Sequence, residues 1–171
     1  MGLRPAKTCR TFDKAPWARY SKKRPKQSFV KAMPHLSLLV YKMGDSAKTY
    51  EKTYDYVAQS AIQLRDNALE SARQAANKYL ERLIPMNYLL TVRVYPHNVI
   101  RENKMVAGAG ADRIQKGMRK SFGRATDRAA RVYTGQPIFT VKFFAEHDAH
   151  VREAFRRAKS KLSGAFKLIS R

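Results

Sequence analysis

The sequence predicts an α+β fold in which two helices cover one face of a mostly antiparallel sheet, and three observations predict it. Apolar residues alternate at a period of two in several short stretches, they recur at helical spacing in two others, and glycine or proline stands at the borders between the two patterns. With 44% apolar residues among 171, the chain has enough material to bury a core.

In chain order, Leu36, Leu38 and Val40 share one face of a first strand, and Gly44-Asp45 turns the chain. A second strand, Tyr54 to about Gln59, has Tyr54, Tyr56 and Ala58 on one side. From Asp66 to Leu83 the period becomes helical, with Leu69, Ala72, Ala76, Tyr79, Leu80 and Leu83 inward and Glu70, Arg73, Asn77, Lys78 and Glu81 on the other faces. Asn67 with Glu70 forms an expected capping pair, and Pro85 stops the helix. Alternation resumes over Tyr88 to Tyr95 and ends at Pro96. A strand also fits Arg131 to Ala145, with a turn or bulge at Gly135-Gln136-Pro137. Asp148 opens a second helix with Val151, Ala154, Phe155, Ala158 and Leu162 inward and Arg152, Arg156, Arg157, Lys159 and Lys161 outward. Gly164 is expected to cap it, before a last strand from Phe166 to Ile169.

Charge narrows the function. Lys and Arg number 35 against 13 Asp and Glu, a formal net charge of +22, and a folded chain so basic calls for a polyanionic partner. Of nucleic acid and anionic membrane, the membrane is the weaker reading. The apolar run Leu36 to Val40 is far too short to span a bilayer, and charges occupy the place of a signal peptide's apolar region. The single Cys9 forms no internal disulfide, as expected in a reducing cytoplasm, and reads as a small residue in a basic arm rather than a reactive thiol.

Two segments concentrate the charge. Residues 1–35 read as an extended basic arm preceding a single α+β domain over 36–171. The arm's RNA-binding candidates are Arg4, Lys7, Arg10, Lys14, Arg19, Lys22, Lys23, Arg24 and Lys26, with Trp17 and Tyr20 placed to stack on exposed bases. Within the domain, residues 97–130 read as one long loop rich in glycine, edged by Arg101, Lys104, Arg113, Lys116, Arg119, Lys120, Arg124 and Arg128. The spacing does not fit a nucleotide-binding loop, which is the weaker reading. Gly117-Met118-Arg119-Lys120-Ser121 lacks glycine before the lysine, and Arg113 stands where a dinucleotide fingerprint requires glycine.

The stretches HNVIRENKM, AGADRIQKGMRKSFG and ARVYTGQPIFTV, with Leu69-Glu70-Ser71-Ala72-Arg73 and the opening Gly2-Leu3-Arg4-Pro5-Ala6, closely resemble the archaeal and eukaryotic ten-e family of large-subunit ribosomal proteins, the counterpart of bacterial protein sixteen. Residues Thr11 to Met33 depart from the family pattern. The resemblance implies a structural constituent of the large subunit that binds its ribosomal RNA below the central protuberance, beside neighbouring ribosomal proteins. It also implies a loop directed at the peptidyl-transferase region and tRNA. Carried over by position, Arg101, Asn103, Lys104, Arg113, Gln115, Lys116, Gly117, Arg119 and Phe122 belong to that tip, and Arg4, Lys7 and Arg10 pin the arm. Ending at Arg171 without a long C-terminal extension, the chain resembles the archaeal type.

Catalysis has no support in these residues. His147 and His150 lack further ligands for a metal, His97 reads as a hinge or RNA contact, and no nucleophile pairs with a base. The expectation is therefore a non-enzymatic ribosomal component in the cytoplasm, without cofactor, metal, membrane or small-molecule substrate. The alternative is a basic nucleic-acid-binding adaptor or regulator acting outside the ribosome. The outer face of the second helix is either solvated or a further RNA contact.

Overall fold

A computed structural model describes residues 3–11, 23, 24, 26, 30–106, 108–115 and 117–171, without the side chains at 112 and 120. Its elements are β1 (Lys42–Gly44), β2 (Lys52–Ala58), β3 (Ile62–Arg65), α1 (Asp66–Leu83), β4 (Tyr88–Val92), β5 (Asn98–Glu102), α2 (Ala111–Ile114), β6 (Arg124–Val132), β7 (Pro137–Phe143), α3 (Asp148–Lys159) and β8 (Phe166–Ser170).

The strands form two sheets. Five are ordered β1-β4-β7-β2-β8 and three β3-β6-β5, and every pairing is antiparallel. The main core lies between the larger sheet and the helices. Tyr54, Tyr56, Leu90, Phe139, Val141 and Phe143 point from alternate strand positions toward Leu69, Ala76 and Leu80 of α1 and Val151, Ala154 and Phe155 of α3. Tyr56 stacks on Phe155 and Phe166 at centroid distances of 5.0 and 5.3 Å, adding directional contacts to burial of about 1.5–3 kcal/mol per large apolar side chain.

The expected helices and the antiparallel sheet are present, and several local expectations need correction. Leu36 to Val40 is not a strand: Leu38 is fully buried, Leu39 and Val40 are exposed, and regular pairing begins at Lys42. Asn67 and Glu70 do not cap α1. The buried Asp66 carboxylate accepts from the Ser37 and Asn67 N–H groups at 2.7 and 2.9 Å, while Glu70 takes Arg73 in a side-chain pair. Arg73, expected on the surface, is therefore buried with its charge compensated. At the other end of α1, Leu83 is exposed, whereas Ile84, which closes the helix, is buried in the main core.

Residues 97–130 are not a continuous loop. β5 pairs with β6 from Asn98↔Ala129 to Glu102↔Arg124, leaving 103–123 as the connection. The strand expected from Arg131 begins at Arg124, and the turn at Gly135 joins the smaller sheet to the larger rather than making a hairpin. β3 was not expected at all. Gly164 is not the helix cap. α3 ends at Lys159 with Ser160 as its C-cap, and Gly164, at φ +104°, lies in the turn that leads to β8.

Candidate nucleic-acid interface

The smaller sheet organises both basic segments, and Gln63 of β3 is the centre of the arrangement. Its N–H donates to the Arg10 carbonyl at 2.6 Å, its side-chain nitrogen donates to the Cys9 carbonyl at 2.7 Å, and its side-chain oxygen accepts from Asn98 at 2.6 Å. One buried amide thus ties the arm to β3 and β5 with its polar groups satisfied. Arg65 donates to the Arg4 carbonyl at 2.8 Å, and Arg4 reaches the Arg101 carbonyl at 3.5 Å.

Apolar contacts reinforce the anchor on both faces of β5. Cys9 packs with Ile100 and Ala129, whereas Val30 packs with Val99, Met33 and Ala125. Val99 and Ile100 are adjacent in a strand and so point to opposite faces. The arm near residue 9 and the arm near residue 30 accordingly lie on opposite sides of the sheet. Cys9 is therefore part of a small core, which corrects its reading as an incidental residue of a coreless arm. The anchor uses backbone carbonyls and leaves Lys7 and Arg10 exposed, together with Lys23, Arg24 and Lys26.

The connection 103–123 has internal order. Gln115 clasps Val106, donating to its carbonyl at 2.7 Å and accepting its N–H at 2.8 Å. Asn103 donates to the Gly117 carbonyl at 3.3 Å. Gly123 has φ +73°, and a Cβ there would lie 2.5 Å from the Glu102 carbonyl carbon, so the loop closes on β5 only with glycine. A register shift between Ile100 and Arg101 re-aims the strand, and the Arg101 guanidinium sits over the Phe122 ring. Burial pulls the Arg101 pKa below the usual arginine value.

Around this frame Lys104, Arg113, Arg119 and Arg124 are exposed. Arg128 serves differently: it is half-buried and donates to the Pro34 carbonyl at 2.7 Å and the Tyr95 hydroxyl at 3.4 Å, holding the arm's end. Met105, Val106, Ile114, Met118 and Phe122 are exposed among the loop cations. Between arm and loop base lies a cleft of about 430 Å3, lined in part by Arg4, Gln63, Asn98, Arg101 and Phe122. Lys14, Trp17, Arg19, Tyr20, Lys22 and Lys116, and the side chain of Lys120, lie outside the described residues.

Gln63, Arg65 and Asn98 were missed as arm anchors. The signal for Gln63 and Arg65 was their alternation with Ile62 and Leu64, which marks a half-polar strand but not its partner, and Asn98 stood in the quoted HNVIRENKM motif without a sign of its role. The outer face of α3 is less cationic than its sequence implied. Arg152 pairs with Asp148 and donates to Tyr54, and Arg156 and Arg157 share Glu153. Hydrogen bonds from Arg156 and Arg157 pull the Glu153 carboxyl down to about 2. His147 and His150 have ring centroids 6.4 Å apart, and no group of three potential metal ligands occurs among the described residues. Among them, no helix is long and apolar enough to cross a membrane.

Comparison with known proteins agrees with this arrangement. The family model for ribosomal protein L16p/L10e matches residues 18–169. Large ribosomal subunit protein uL16 of Staphylothermus marinus is 44% identical over 163 residues, covering 95% of this chain and 90% of its own. The uL16 of Methanococcus maripaludis strain C7 is 42% identical over 170 residues, covering 99% and 94%, and that of Pyrobaculum arsenaticum is 42% identical over 167 residues, covering 95% and 88%. With matches of this extent, the chain belongs to the ribosomal protein L16p/L10e family.

Proposed function

We propose that this chain is a structural constituent of the large ribosomal subunit, not an enzyme, and that it binds large-subunit ribosomal RNA through the arm and the 103–123 loop. Family membership supplies the ribosomal setting, with ribosomal RNA and neighbouring ribosomal proteins as partners and the cytoplasmic ribosome as location. The observation that carries the RNA reading is the Gln63 anchor, which holds the arm by its carbonyls and leaves Lys7 and Arg10 exposed.

Lys7, Arg10, Lys23, Arg24 and Lys26 neutralise phosphates along the arm, and Lys104, Arg113, Arg119 and Arg124 do so along the loop. Counterion release then supplies most of the affinity, and the fold sets where each cation stands. The exposed apolar side chains of the loop suit the faces of bases and riboses. The loop extends toward tRNA and the peptidyl-transferase region, in line with the resemblance of its motif. Sedimentation of a cell extract tests the assignment: the chain is expected to follow large subunits through a density gradient at near-unit stoichiometry. A pool chiefly free of subunits supports an adaptor acting outside the ribosome instead.

A further inference from the structure

The helices cover only one face of the five-stranded sheet. On the other face a groove of about 420 Å3 is lined by eight residues, of which Lys42, Arg93, Lys142 and Arg171 are cationic and none is acidic. Strand register orders them. Lys42 stands opposite Thr91, and Thr91 opposite Thr140. Lys142 stands between Leu89 and Thr53, and Arg93, two residues beyond Thr91, is bonded through its N–H to the Ile138 carbonyl. Lys142, Lys42 and Arg93 therefore occupy three successive rows of the sheet, roughly 7 Å apart.

These cations are available. Lys42, Arg93 and Lys142 are exposed and make no ion pair with a carboxylate among the described residues. The acid in the middle row, Asp55, is engaged by the Thr140 hydroxyl at 2.5 Å. Unpaired cations gathered on one open face repel each other and raise the local potential toward anions. The interleaved hydroxyls of Thr53 and Thr91 both donate and accept, as phosphate and ribose oxygens require.

We infer that the open face of the five-stranded sheet is a third RNA-contact surface, separate from the arm and the loop. Lys42, Arg93 and Lys142 hold consecutive stretches of a phosphodiester backbone, and the threonine hydroxyls meet its phosphate and ribose oxygens. This inference deepens the RNA reading above and rests on it.

Titration of the full chain against deproteinised archaeal large-subunit ribosomal RNA over a range of monovalent salt tests it. Each phosphate contact contributes about 0.7–0.9 to the slope of log affinity against log salt. The triple variant Lys42→Ala, Arg93→Ala, Lys142→Ala is expected to bind about tenfold or more weakly, with a slope shallower by roughly two to three. The charge-preserving variant Lys42→Arg, Arg93→Lys, Lys142→Arg is expected to behave as the unaltered chain, and equal melting temperatures establish that all three proteins fold. Unaltered affinity and slope in the alanine variant overturn the inference while leaving the arm and loop assignment standing. So does a variant that loses binding only to polyglutamate, which marks the face as a seat for an acidic protein. Failure of the unaltered chain to bind the RNA removes both readings.

Discussion

The guanidinium carbon of Arg101 lies 3.4 Å from the centroid of the Phe122 ring. This contact joins β5 to the residue just before the Gly123 turn into β6 and so closes the base of the loop. A cation over an aromatic face at a partly exposed site contributes about 0.5–1 kcal/mol. That is enough to bias the loop's direction and too little to hold the fold.

Phe122→Ala and Lys104→Ala are therefore expected to lower the stability of the isolated chain by no more than about 1 kcal/mol in chemical denaturation. In cells they are expected to impair large-subunit maturation or tRNA-dependent activity. Variants that lose several kcal/mol yet enter subunits normally would place these residues in the fold's support instead.

Gln63→Leu tests the arm anchor. It strips partners from the Cys9 carbonyl and the Asn98 amide, and leaving buried polar groups unpaired costs about 1–3 kcal/mol each. Faster amide exchange around residues 9–10 and weaker RNA binding are the expected readouts. An arm equally protected after the substitution shows that the apolar contacts of Cys9 suffice.

Gly123→Ala tests the loop's closure. The residue combines φ +73° with a Cβ position 2.5 Å from the Glu102 carbonyl carbon, and strained backbone of this kind costs about 1–3 kcal/mol. A fall of that size in denaturation is expected, whereas Gly108→Ala, whose Cβ meets nothing within 4 Å, relieves the steric part of the penalty.

Glu153 predicts an acid-range effect with a defined sign. Its folded pKa of about 2 lies below the ordinary 4.5, so the Arg156 and Arg157 contacts stabilise the native state above pH 4.5 and their contribution fades as pH falls toward 2. Glu153→Gln is expected to flatten that part of the stability profile. An identical profile in the variant shows that solvent screens the pair completely.

Affinity for large-subunit RNA is expected to fall by about 10³–10⁵ between 50 and 200 mM salt if arm and loop together neutralise six to ten phosphates. A flat titration removes the electrostatic mechanism.

The sequence by itself determined the two long helices, four of the five strands of the larger sheet (β2, β4, β7 and β8, but not β1) and the family. Those features are local: the spacing of Leu69, Ala72, Ala76 and Leu80, the alternation of Tyr88, Leu90 and Val92, and a long contiguous motif from His97 to Gly123. Only the tertiary structure decided that Arg124–Val132 is a strand, since its run of Arg124, Asp127, Arg128 and Arg131 has no apolar alternation and is held by pairing with β3 and β5. The same holds for the arm. Cys9 and Gln63 are 54 positions apart, and a hydrogen bond between distant residues leaves no periodic trace, because period reports which face of one element is buried and not which partner lies against it.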